Sequence, residues 1–143
     1  MNLIIILPLI AVMVVEILKF LIPSNKRPWK LSSLFTYSGM PSGHSALVTS
    51  LATIIGLQEG FSSALFGLAF IFAFLTMRDA MGLRQFLSRH GKTLNVLVKD
   101  LKNDDVLDKR YPKLIEKIGH TPAQVMVGSI IGIIIAIIGY YFF

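Results

Sequence analysis

No cysteine occurs in the 143 residues. That excludes disulfides, thiolate catalysis and cysteine metal sites, and it fits a reducing compartment. Charge is nearly as scarce at both ends: residues 3–15 carry none, residues 3–22 only Glu16 and Lys19, and residues 121–143 none. About 20 helical residues cross the ~30 Å hydrocarbon core of a bilayer, so both terminal runs can span one. The N-terminus has no basic region, and no small-residue cleavage site follows the first run, so a removed signal peptide is not expected. Internal repeats and low-complexity linkers are also missing. The net charge of +6 calls for no nucleic-acid partner, because basic residues beside spans are what membrane orientation and anionic lipid produce.

Apolar residues make up 54% of the chain. They predict an all-α integral membrane protein, a compact bundle of about four transmembrane helices forming a single membrane-embedded domain over 1–143. The spans are expected at 3–22, 44–58, 61–77 and 121–143. The second is short and holds Ser, Thr and Gly, so it is expected to pack against protein rather than lipid. An amphipathic segment covers 78–119, where Leu83, Phe86, Leu87, Leu94, Leu97, Val98 and Leu101 recur at helical spacing among charges. That pattern suits a helix lying on the membrane surface or over the bundle, with a second short helix over 107–118. Four spans place the 23–43 and 78–119 connections on one face. Those two connections hold every Lys and Arg except Lys19. The positive-inside rule then assigns that face to the cytoplasm.

The stretch with chemical content is Gly39-Met40-Pro41-Ser42-Gly43-His44-Ser45-Ala46, just ahead of the second apolar run. Pro41, Ser42 and Gly43 suit a tight helix start. The amides of such a start, aided by the helix dipole, form an anion site. His44 follows them, a side chain that gives or takes a proton near neutral pH. Gly119-His120-Thr121-Pro122 opens the last run in the same way. Lys19 closes the first run, with Lys26 and Arg27 beyond it, and Arg78-Asp79 ends the third with Arg84 soon after.

Taken singly, each group has an ordinary explanation. Lys19 can snorkel to the headgroups, and Lys26, Arg27 and Lys30 can be topology determinants. Arg78 and Asp79 can form an interfacial ion pair, and either histidine can cap a helix. The topology nevertheless brings all of them to one membrane face. Two histidines with cations between them meet the needs of phosphoryl transfer: one attacks phosphorus, one protonates the leaving oxygen, and Lys and Arg hold the remaining oxygens. No cofactor is required, and no convincing metal-ligand spacing is present. Asp104-Asp105-Val106-Leu107-Asp108 has the D-D-x-x-D form of a magnesium-diphosphate motif. Without a second acidic cluster it reads as a solvated helix face.

Pro41-Ser42-Gly43-His44 matches the P-S-G-H motif of the type 2 phosphatidic acid phosphatase and vanadium haloperoxidase superfamily. His120 to Gly132 resembles its last motif, H-x-x-x-D-V-x-x-G-x-x-x-G. The chain is most similar to a small divergent bacterial and plastid branch, acid phosphatase/vanadium-dependent haloperoxidase-related. That branch carries G-M-P-S-[SG]-H-S-A, then D-A-x-G-[VL]-R, L-N and G-H-T-P. Here these are residues 39–46, Asp79 to Arg84, Leu94-Asn95 and residues 119–122. The resemblance implies that His120 is the nucleophile forming a phosphohistidine and that His44 is the acid for the leaving group. It also implies that Ser42 and the Gly43 amide bind phosphate oxygens, and that Arg84, Lys19 and Arg27 supply positive charge. Asp79 would orient Arg84 or a histidine. Three features depart from the superfamily pattern. Lys19 lies one residue too far from Arg27-Pro28, and Leu114 stands where an Arg should precede His120. Gln124 replaces the Asp that would hold His120 in its tautomer, a loss that can slow such an enzyme by orders of magnitude. Asp79 is the expected substitute.

The resulting expectation is a metal-independent lipid phosphatase acting on a phosphomonoester or diphosphate of a membrane lipid, such as phosphatidylglycerol phosphate or phosphatidic acid, at the cytoplasmic interface. A catalytically weak or inactive lipid-phosphate-binding or regulatory protein is the alternative, and a vanadium haloperoxidase-like activity the third reading. Gly128-x-x-x-Gly132 is expected to pack the last span inside the chain, the alternative being a homodimer seam.

Overall fold

The computed structural model describes residues 2–22, 39–100, 113–116 and 118–143. Its described residues form five helices: α1 (Leu3–Leu21), α2 (Gly43–Glu59), α3 (Ala64–Met81), α4 (Leu83–Asp100) and α5 (Pro122–Phe142). Three stretches are long and apolar enough to cross a membrane: α1, the nearly continuous Ala64–Lys99, and α5. The fold is therefore all-helical and membrane-integral, as the apolar runs predict.

In α1 every fourth residue faces inward: Leu3, Leu7, Ala11, Val15 and finally Lys19 are buried. Ile5, Leu9, Met13, Ile17 and Leu21 point outward and are just as apolar. A helix that is apolar on every side belongs in lipid. The inward stripe carries its one cation to the end of the helix.

α2 is the centre of the bundle. It has 17 residues, about 25 Å of helix, and packs against α1, α3 and α5. Small residues allow this close contact. Gly128 and Gly132 of α5 sit directly over the backbone of Ser42 and Ala46, where a Cβ would collide with a carbonyl oxygen. The GxxxG spacing is thus used within the chain, between α5 and α2. Two α2 threonines satisfy their hydroxyls within the helix, as a dry interior demands, whereas the buried Ser50 hydroxyl has no hydrogen-bond partner among the described residues. Thr49 donates to the Ser45 carbonyl at 2.7 Å and Thr53 to the Thr49 carbonyl at 2.7 Å.

Gly60 ends α2 at φ +88°, a conformation that a side chain disfavours, and Ser63 caps α3 through the Phe66 amide at 3.2 Å. Only Ala69, Ala73 and Ala80 of α3 are buried; its Leu and Phe side chains are largely exposed and face lipid. α3 continues to Met81, four residues beyond the expected end of the third span. α4 is amphipathic as expected, with Leu83, Phe86, Leu87, Leu94 and Leu97 exposed along one side.

The opposite side of α4 holds the chain that leads into α5. Asn95 donates to the Leu114 carbonyl at 2.9 Å and accepts from the Leu114 amide at 2.9 Å. Ser88 accepts from the Ile118 amide at 2.8 Å. The short helix expected over 107–118 is not found in its described part: residues 113–116 and 118 form no helix. Their backbone groups are engaged by α4 side chains instead of by one another. The remainder of that expected helix, and the D-D-x-x-D stretch, lie outside the described residues.

Candidate active site

The starts of α2 and α5 and the ends of α1 and α3 meet at one edge of the bundle. Ser42 is the N-cap of α2, its hydroxyl accepting from the Ser45 amide at 3.4 Å and from the Ser45 hydroxyl at 2.9 Å. Gly43 packs against α1 so closely that a Cβ there would lie 3.1 Å from Glu16 Oε1 and 3.6 Å from Lys19 Nζ. The first residue of α2 thus packs on the Glu16–Lys19 pair. His44, next in the helix, is exposed.

Lys19 is 3% exposed and forms an ion pair with Glu16. This carboxylate is a member of the site that the motif comparison missed. Its signal was present in the sequence: an acidic residue three positions from a lysine inside an otherwise uncharged span is costly unless paired or functional. Asp79 at the end of α3 accepts from Arg84 Nε at the start of α4, at 2.7 Å. Both cations of the described site are therefore held by carboxylates. Arg27 lies outside the described residues.

His120 is 2% exposed. Its backbone is fixed by the α3–α4 corner: its amide donates to the Ala80 carbonyl at 3.1 Å, and its carbonyl accepts from Gln85 Nε2 at 2.7 Å. Gly119 packs on the Gln85 backbone, leaving no room for a Cβ. On the ring side, Nδ1 lies 3.3 Å from Gln124 Oε1. The same oxygen accepts from the Thr121 amide at 3.0 Å, completing a capping box at the start of α5. Asp79 serves Arg84, while Gln124 is the hydrogen-bond partner of His120. Burial pushes the His120 imidazole down to about 4; the Gln124 hydrogen bond opposes the shift, and Lys19, His44 and Arg84 reinforce it. The ring is therefore neutral at pH 7, the state in which a nitrogen lone pair is available.

Ser42 and Gln124 are also joined directly, the Ser42 amide donating to the Gln124 carbonyl at 3.0 Å. The Ser42 turn and the start of α5 beside His120 are thus one hydrogen-bonded unit. Of the expected site residues, Lys19, Ser42, Gly43, His44, Asp79, Arg84 and His120 all sit at this edge. Among the described residues, no three His, Asp or Glu side chains converge as metal ligands.

A relative at 37% identity is an uncharacterized membrane protein, YuiD, of Bacillus subtilis (strain 168); the alignment covers 85% of this chain and 82% of that protein. No solved structure matches. The family model described as Divergent PAP2 family matches residues 1–135, which include every helix start and helix end of the site. With that match and a membrane-protein relative of nearly equal length, this chain belongs to the Divergent PAP2 family.

Proposed function

We propose that the chain is a metal-independent lipid phosphatase working through a phosphohistidine. The observation that carries this reading is the convergence of a buried neutral His120, the exposed His44, the α2 amides and two cations at one bundle edge. A ring nitrogen of His120 attacks phosphorus while the ester P–O bond breaks. His44 gives a proton to the departing alkoxide, and then takes one from the water that attacks the phosphohistidine. Alcohol and inorganic phosphate leave, and both histidines return to their starting state. Lys19, Arg84, the Ser42 hydroxyl and the Gly43 amide balance the negative charge on the phosphoryl oxygens.

A lipid substrate suits this location. Arg84 opens an amphipathic helix with an exposed apolar side and Arg89, Lys92 and Lys99 elsewhere on its surface. Such a helix lies at the headgroup boundary, the depth at which a lipid phosphate resides. The placement of Lys and Arg supports a site on the cytoplasmic face of the inner membrane, where phosphatidylglycerol phosphate or phosphatidic acid would be met.

The test is phosphate release by the purified protein in detergent with EDTA, on both lipids and on undecaprenyl diphosphate. Release that is lost in both His44→Ala and His120→Ala is expected. A second reading, a lipid-phosphate binder without turnover, is favoured by one observation: Lys19 and Arg84 are each already engaged by a carboxylate. Vanadate binding with silence on every lipid would select it and refute the phosphatase.

A further inference from the structure

We infer that Gln124 is the positioning residue for His120: its amide oxygen fixes the tautomer with hydrogen on Nδ1, leaving Nε2 as the nucleophile. The inference rests on the reading of His120 as the nucleophile. It starts from the orientation of an amide. The Thr121 N–H donates to the Gln124 side chain at 3.0 Å, and of the two amide ends only the oxygen can accept. The backbone therefore decides which end faces His120. That oxygen, 3.3 Å from Nδ1, offers no proton, so Nδ1 must carry one. Nε2 is then bare.

The arrangement is held from several sides. Gln124 N–H donates to the Thr121 hydroxyl at 3.3 Å, and its carbonyl accepts from the Ser42 amide. The main chain of His120 is clamped by Ala80 and Gln85. The amide and ring are thus supported by neighbours on α2, α3 and α4, the kind of shell that keeps a catalytic group in register.

An amide does what a carboxylate would do for the tautomer, but it differs in charge. The ring becomes cationic when Nε2 bonds phosphorus and Nδ1 keeps its hydrogen. A carboxylate would stabilise that cation; a neutral oxygen stabilises it less. The same difference protects the resting nucleophile from protonation. The ionisable groups around His120 are Lys19 and Glu16 from α1, His44 from α2, Asp79 from α3 and Arg84 from α4. The two carboxylates are engaged by Lys19 and Arg84, so the nearby cations act on the ring without an anion hydrogen-bonded to it. The site trades speed of attack at neutral pH for a nucleophile that stays unprotonated in acid.

The experiment is nitrogen NMR of full-length protein labelled at histidine in detergent micelles. The chain has three histidines, and His120→Ala assigns the relevant signal. Wild type is expected to show the Nδ1–H tautomer. Gln124→Glu keeps it and moves the protonation midpoint of the ring up by about one pH unit or more, with the acid limb of kcat/KM moving equally. Gln124→Leu loses the preference for Nδ1–H. An Nε2–H ring in wild type, the same tautomer in Gln124→Leu, or an unmoved midpoint in Gln124→Glu overturns the inference. If Gln124→Leu does not fold, the wild-type and Gln124→Glu signals decide alone. Turnover is not needed for the NMR signals, so the expected signals in a protein that releases no phosphate would refute the phosphatase and sustain the tautomer assignment.

Discussion

Replacing Gly128 by alanine tests the packing on which the site depends. The added Cβ would meet the Ser42 carbonyl oxygen well inside van der Waals contact, with the Ser42 amide nitrogen 3.0 Å away. Both are backbone atoms, so no rotamer change relieves the clash. Overpacking costs ~1–3 kcal/mol, and a rigid backbone neighbour puts this case at the upper end. Removing a helical glycine returns up to ~1 kcal/mol. The net loss is about 2 kcal/mol, or ~30-fold in the ratio of folded to unfolded protein. Gly67 is the internal control, since it also lies in a helix and nothing stands within 4 Å of the Cβ it would gain. Gly67→Ala should be neutral or stabilising. Reversible unfolding of both variants in the same detergent measures the difference. If Gly128→Ala unfolds no more readily than Gly67→Ala, α5 does not rest on the Ser42 turn in this way. A change confined to oligomeric state would return the GxxxG face to a dimer seam.

Further predictions concern charge and the clamp. His120 has its proton affinity lowered by folding, from the ordinary 6.5 of a histidine to about 4, so between those pH values the unfolded chain binds more protons. Stability should therefore rise with pH across that window and flatten on either side of it; thermal unfolding of wild type and His120→Gln, compared from pH 4 to 7, should show the steeper rise in wild type. Asp79→Asn, which releases Arg84 Nε from its carboxylate, should lower kcat/KM about tenfold, a loss of ~1.4 kcal/mol in transition-state stabilisation, and unchanged kinetics would remove Asp79 from the site. Asn95→Leu deprives the Leu114 amide and carbonyl of their partner at a cost of ~1–3 kcal/mol. Faster limited proteolysis within 113–118 is the expected readout.

The apolar runs located all four bundle helices to within four residues, because lipid imposes length and composition more strictly than a soluble core does. The Ser, Thr and Gly content of α2 correctly placed it against protein, and its burial follows. The histidines, Ser42, Gly43, Lys19, Asp79 and Arg84 were legible as helix-end residues. Their partners were less so. Reading Gln124 as a missing carboxylate hid a local signal, the Thr121-x-x-Gln124 spacing of a capping box, whose oxygen also reaches His120. Gln85, Ser88 and Asn95 lie on the polar side of an amphipathic helix. They bind backbone groups 19 to 35 residues away, and no local pattern announces such a partner. The same engagement explains why residues 113–116 and 118 do not form the helix their composition suggested.

The pairing of Asn95 with Leu114 has a practical corollary for engineering. It ties α4 to the chain entering α5, while Arg84, His120 and Gln124 are held by hydrogen bonds of their own. A spectroscopic label is therefore best kept off Asn95 and Leu114 and placed on the exposed apolar side of α4, at Leu87 or Leu97, where it leaves both this pairing and the bundle edge in place.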